Sequence, residues 1–118
     1  MSDLLQLEQH LSTAKFLIER RDAALRLAKN KDFKRLVVDE YFTDEAARLI
    51  IASGDPNLDQ KQRDDFVAMG QAIGHFKRYL SFIVTEANNA ERDIPNIEEA
   101  LIELRAEDQG DVDAGGVA

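Results

Sequence analysis

The sequence contains no cysteine. That excludes a disulfide frame, a CxxC redox pair and any zinc site built on thiolates. Proline is nearly absent, at two residues, and of the six glycines four lie outside the expected helices or in the C-terminal tail. A chain so poor in breakers suits long helices. No stretch approaches eighteen consecutive apolar residues, so we expect no membrane-spanning helix and no membrane partner. The opening Met1-Ser2-Asp3-Leu4-Leu5 has neither a basic n-region nor a continuous apolar h-region, so no signal peptide is expected there. The expected setting is a reducing cytoplasm, or a particle assembled in one.

What is present is charge and apolar periodicity. Charged residues make up 32% and hydrophobic ones 44% of 118 residues, values that suit one globular domain with well-solvated helices. The net charge of −8 is unevenly placed. Residues 1–85 balance, and residues 86–118 carry the whole acidic excess, from Glu86 through Asp113 against only Arg92 and Arg105. Lys15 to Arg35 is locally basic and includes the run Lys29, Lys31, Lys34, Arg35. A basic early segment and an acidic late one can attract each other within or between chains.

Leu4, Leu11, Ile18 and Leu25 recur every seven residues, interleaved by Leu7, Ala14 and Ala28, with Arg21 as the polar break in the seam. This predicts a first long helix over about residues 3–29. Asn30-Lys31-Asp32 reads as a turn in which Asp32 caps a short helix whose apolar face is Phe33, Leu36, Val37 and Phe42. Thr43-Asp44-Glu45 reads as a second N-terminus, opening another short helix that closes at Gly54-Asp55-Pro56. The strongest pattern follows. Phe66, Ile73, Leu80, Ala87 and Ile94 occupy one heptad position and Met69, Phe76, Ile83, Ala90 and Ile97 the other, and the phase holds through Leu101 and Leu104 across Pro95. We expect a long helix that kinks or restarts at the proline without leaving the seam.

The expected fold is all-α: two long heptad-patterned helices with two short helices between them, forming an elongated antiparallel helical bundle. Residues 1–107 would be the helical domain and residues 108–118 a disordered acidic tail, since they show no periodicity and little to bury. The first helix can cover only part of the long seam, so the remainder calls for a second copy or another protein. The residues expected to carry that contact are Phe66, Met69, Ile73, Phe76, Leu80 and Ile83, with Gly70 and Gly74. Two glycines mid-helix cost about 1 kcal/mol each relative to alanine and leave one side of the turn bare for a close approach. Phe33, Tyr41 or Phe42 could fill that space from within the chain, or a second subunit could.

Nothing in the pattern carries catalysis. His10 and His75 are the two histidines, and neither has a partner at metal-ligand spacing, so no metal site is expected. Ser12, Ser53 and Ser81 lie in no nucleophile elbow. Asp64-Asp65 and Glu98-Glu99 are neighbours that point apart on a helix, and the stretch 55–65 lacks the glycine and final glutamate of a calcium loop. Gly70-Gln71-Ala72-Ile73-Gly74 lacks the spacing of a phosphate-binding loop, so no cofactor and no small-molecule substrate are expected. Residues 44–52 offer only Arg48 to a phosphate backbone, and the overall acidity opposes nucleic-acid binding.

The segment Asn30-Lys31-Asp32-Phe33-Lys34, Tyr41-Phe42, Glu45-Ala46-Ala47-Arg48-Leu49, with Asp55-Pro56, Ala72-Ile73-Gly74 and Tyr79-Leu80, resembles a pattern in small acidic helical proteins of tailed bacteriophages. The resemblance covers residues 4–107 and implies a phage setting, in the host cytoplasm or the virion. It assigns no role and no functional residues, and the seams and charge pattern leave three roles open. The first is a non-enzymatic, self-associating virion component or assembly factor, whose partners are itself and other phage structural proteins. The second is an acidic inhibitor that binds a host nucleic-acid enzyme. The third is a small DNA-packaging subunit using Lys29, Lys31, Lys34 and Arg35.

Overall fold

The computed structural model describes the backbone of residues 2–117 and the side chains of residues 3–110. The fold is all-α. Among the described residues every regular element is a helix: α1 (Ser2–Lys29), α2 (Lys31–Phe33), a π-helical segment (Lys34–Glu45), α3 (Ala46–Ser53) and α4 (Gln60–Val117). The tail expected over 108–118 falls, beyond Gly110, outside the residues whose side chains are described, although α4 is drawn to Val117. The residues group into two compact units, Met1–Arg21 with Thr85–Ala118, and Asp22–Val84.

In the first unit the heptad seams meet. Ala14, Ala87 and Leu101 are buried, with Ala87 fully so. Around them Leu4, Leu7, Leu11 and Ile18 of α1 and Ala90, Ile94, Ile97 and Leu104 of α4 are half-buried. Alanines at the centre let two helices approach closely enough for the larger residues to interdigitate. Arg21, the polar break in the α1 seam, is only 12% exposed in its side chain. Its guanidinium donates to Asn88 Oδ1 at 2.8 Å and, through two nitrogens, to both carboxylate oxygens of Glu91 at 3.2 and 3.0 Å. A forked, charge-assisted contact of this kind fixes register as well as adding attraction. Arg20 pairs with Glu86 at 3.2 Å and Arg105 with Glu8 at 3.3 Å.

Pro95 does not end α4. It has no N–H for the carbonyl four residues back, a loss that elsewhere breaks helices. Here Ile94, Ile97 and Leu101 on either side of it all lie on the buried seam, and their packing offsets the missing bond. The helix therefore continues through Pro95 without restarting there.

The second unit departs from the sequence reading in two places. The helix after α1 is capped by Asn30 in place of Asp32: its Oδ1 accepts from the backbone N–H groups of Asp32 and Phe33, both at 3.0 Å. And Thr43-Asp44-Glu45 does not start a new helix. It lies at the end of the π-helical segment, which runs without interruption into α3. There the Thr43 hydroxyl, read as a cap, donates back to the Val38 carbonyl five residues earlier at 3.2 Å. The two expected short helices are thus one continuous rod, Lys31–Ser53, with a wide-turned centre.

The reason lies in the spacing of the inward residues. Phe33, Val37, Val38, Phe42 and Ala46 are the half-buried apolar positions of this rod up to the start of α3, recurring every four to five residues. Bonding from i to i+5 stacks positions at that period, whereas an α-helix would carry some of them round to solvent. Leu36, assigned above to the inward face, is instead 54% exposed. The rod ends at Gly54, and the chain turns through Asp55, whose carboxylate accepts from the Asn57 N–H at 2.9 Å. It restarts with a reciprocal cap. Asp59 Oδ1 accepts from the Gln62 N–H at 2.8 Å while Gln62 Oε1 accepts from the Asp59 N–H at 3.0 Å. Arg63 Nε then donates to the Ser53 carbonyl at 3.1 Å, tying the start of α4 to the end of α3.

Candidate interaction face

Of the eight residues expected to carry a subunit contact, the second unit uses most for its own packing. Ile73 and Ile83 are buried, and Phe66, Gly70 and Leu80 are half-buried. Leu49 of α3, 2% exposed, belongs to the same core. Met69, Phe76 and Gly74 remain exposed, Met69 by 51% and Phe76 by 37%.

The two glycines part company. A Cβ placed on Gly70 would meet Ile50 Cδ1 at 3.7 Å, an ordinary contact, and one on Gly74 would meet nothing within 4 Å. The rings of Phe33, Tyr41 and Phe42 therefore do not press on either glycine, contrary to the packing weighed from the sequence. The close neighbour of Gly70 is an aliphatic methyl, and Gly74 faces open space.

The aromatic rings group elsewhere. Phe42 sits between Tyr41, whose ring centroid is 6.1 Å away, and Phe76, which it meets edge-on at 5.5 Å. Edge-to-face geometry brings the positive rim of one ring to the negative face of the other. Tyr41 and Phe76, on either side, are each more than a third exposed. Tyr79, one helical turn after Phe76, is also exposed. Leu36 extends the surface along the π-helical segment, where it shares with Glu40, Tyr41, Asp44, Glu45 and Arg48 a groove of about 540 Å³. Phe42 thus links Tyr41 to Phe76, and Leu36 and Tyr41 share their groove with the acidic Glu40, Asp44 and Glu45. Sequence reasoning missed Leu36 and Tyr41 as surface residues because it applied an α-helical period to the π-helical segment, and Tyr79, on α4, lies off the heptad positions it followed.

Glu45 and Arg48 form an exposed ion pair, in which the hydrogen bond from Arg48 holds the Glu45 carboxyl below its ordinary value and Glu45 raises the Arg48 guanidinium. Arg35 and Glu40 approach at 3.6 Å, also exposed. His10 and His75 are exposed and lie in different units, and among the described residues no group of three His, Cys, Asp or Glu side chains is placed to hold a metal. Ser53 Oγ is engaged with the Ile50 carbonyl at 2.6 Å. One apolar hollow, lined by Leu25, Ala28, Phe33, Leu80 and Val84, measures about 190 Å³. That is smaller than the roughly 300–1,000 Å³ of small-molecule pockets. No helix among the described residues is long and apolar enough to cross a membrane.

Compared with known proteins, the chain matches no family model, no curated protein and no solved structure.

Proposed function

We propose that this chain is a non-enzymatic helical protein that works by associating with itself, as a virion component or assembly factor of a tailed bacteriophage. The observation that carries the reading is the number of large apolar side chains the second unit leaves exposed, Leu36, Tyr41, Met69, Phe76 and Tyr79 among them. Fully covering one such side chain contributes roughly 1.5–3 kcal/mol, so even partial burial of several on each of two copies supplies a useful fraction of a micromolar affinity, about 8 kcal/mol. In this reading α1 and α4 pair antiparallel, which the order of the ion pairs in the first unit supports. The phage setting rests on the sequence resemblance, and its host-cytoplasm or virion location follows from that. Light scattering across a dilution series tests the reading. A mass above 13.3 kDa that falls on dilution supports it, and 13.3 kDa at every concentration removes it.

A second reading, an acidic inhibitor of a host nucleic-acid enzyme, is supported by Glu98, Glu99, Glu103, Glu107 and Asp108. All five are exposed and none is ion-paired to another described residue. A stoichiometric complex of the monomer with such an enzyme, competed by nucleic acid, is the result that would favour it.

A further inference from the structure

We infer that the partner at this face is a second copy of the chain, docked antiparallel and two-fold through the outer side of the Lys31–Ser53 rod. The inference rests on the self-association proposed above and specifies its geometry. In the π-helical segment residues four and five apart stack on one side. The exposed side therefore reads, in chain order, Lys31, Leu36, Glu40 with Tyr41, and Asp44 with Glu45. All but Glu45, which is half-buried, are exposed, and Leu36, Glu40, Tyr41, Asp44 and Glu45 line one groove. The face is basic at its start and acidic at its end, and at its centre Leu36 and Tyr41 stand beside Glu40, which Arg35 neutralises at 3.6 Å. Among the described residues Lys31 and Asp44 have no ion-pair partner.

That order is self-complementary in one orientation only. Two copies laid antiparallel about an axis near Val38 and Asp39 set each Lys31 against the other copy's Asp44–Glu45 turn and each Leu36 against the other's Tyr41. The contact repeats identically on both sides of the axis, as a two-fold interface requires. A parallel arrangement would instead stack lysine on lysine and carboxylate on carboxylate, and like charges in register repel. Apolar residues at the centre with charges at the rim is also the ordinary anatomy of a stable interface.

The symmetry gives the test, done on the full chain by sedimentation equilibrium. Lys31→Glu places two carboxylates against each other at both ends of the interface, and Asp44→Lys places two ammonium groups there. Each variant alone should dimerise about tenfold more weakly or worse than the native chain. Mixed one to one, the two variants restore both ion pairs in a heterodimer, so the mixture should regain native-like affinity. Both positions are exposed, and circular dichroism should be unchanged. If both variants dimerise like the native chain, or if mixing restores nothing, this geometry is wrong and self-association uses another face. If the native chain itself never dimerises, the self-association reading fails with it.

Discussion

The two units solve the same packing problem by different means. The first brings two helical segments together over alanines and pins them with the Arg21 fork and two further ion pairs, so its register is set by polar contacts at the edge of a narrow seam. The second buries larger aliphatic residues, Leu49, Ile73 and Ile83, under a rod with a π-helical centre. Their surfaces differ accordingly. Among the described residues only Leu5, Phe16 and Ile102 of the first unit are large, apolar and exposed, and all the other such residues belong to the second. Scattered exposed apolar residues mean little, but a contiguous group marks an interaction site. The first unit has satisfied its own seam; the second has residues left over.

The largest effect that sharpens this contrast should come from the second core. Ile73→Ala removes a side chain that is 3% exposed and should cost about 2–4 kcal/mol of unfolding free energy in urea. Amide exchange should rise first within residues 22–84. A cost below about 1 kcal/mol would mean the core had collapsed around the gap or was never tightly packed.

In the first unit the corresponding change is Ala87→Leu, which forces a large side chain into a position with no exposure and should cost about 1–3 kcal/mol. Arg21→Ala should cost about as much, because Asn88 and Glu91 lose the fork between them. Arg21→Met should cost less than Arg21→Ala, since a methionine restores the packing along the seam. If the methionine variant is the less stable of the two, the fork is worth more than the contacts of its stem.

These contrasts also show what could be read without coordinates. Much of the α4 heptad was legible: Ile73, Ile83, Ala87 and Leu101 are buried, every one of them on it, although Met69 and Phe76 on the same pattern stay exposed, and its phase through Pro95 anticipated a helix that keeps its seam. The rod was misread because local and non-local signals disagree there. Thr43-Asp44-Glu45 has the chemistry of a helix start, yet the four-to-five-residue recurrence of Phe33, Val37, Val38, Phe42 and Ala46 prevails, and the hydroxyl serves a turn already in progress. Asn30 and Asp32 are both good caps, and composition cannot choose between them. Of the expected contact residues, Met69, Phe76 and Gly74 remain available, while Ile73 and Ile83 are spent inside the second unit because Leu49 and its rod pack there.

Smaller effects are expected at the glycines. Gly70→Ala and Gly74→Ala should each stabilise by about 0.5–1 kcal/mol, since the added methyl meets only an ordinary contact at one and open space at the other. Neither should alter association if the Lys31–Ser53 rod is the contact. A Gly74→Ala variant that folds better but no longer associates would move the interface onto α4.

The smallest is a titration. The hydrogen bond from Arg48 lowers the Glu45 carboxyl below its ordinary 4.5, so any stability it adds is present above that value and is lost as pH falls through the lowered one. Carboxyl chemical shifts should place the Glu45 midpoint below that of a free glutamate and return it upward in Arg48→Gln. An unchanged midpoint in that variant would mean the pair does not persist in solution.

Amide hydrogen exchange followed as a function of protein concentration tests the contrast between the units most directly. The account predicts protection that rises with concentration across residues 31–48 and around Phe76, and stays constant at 8–21 and 86–105. Protection that rises instead in the first unit, or nowhere, contradicts it.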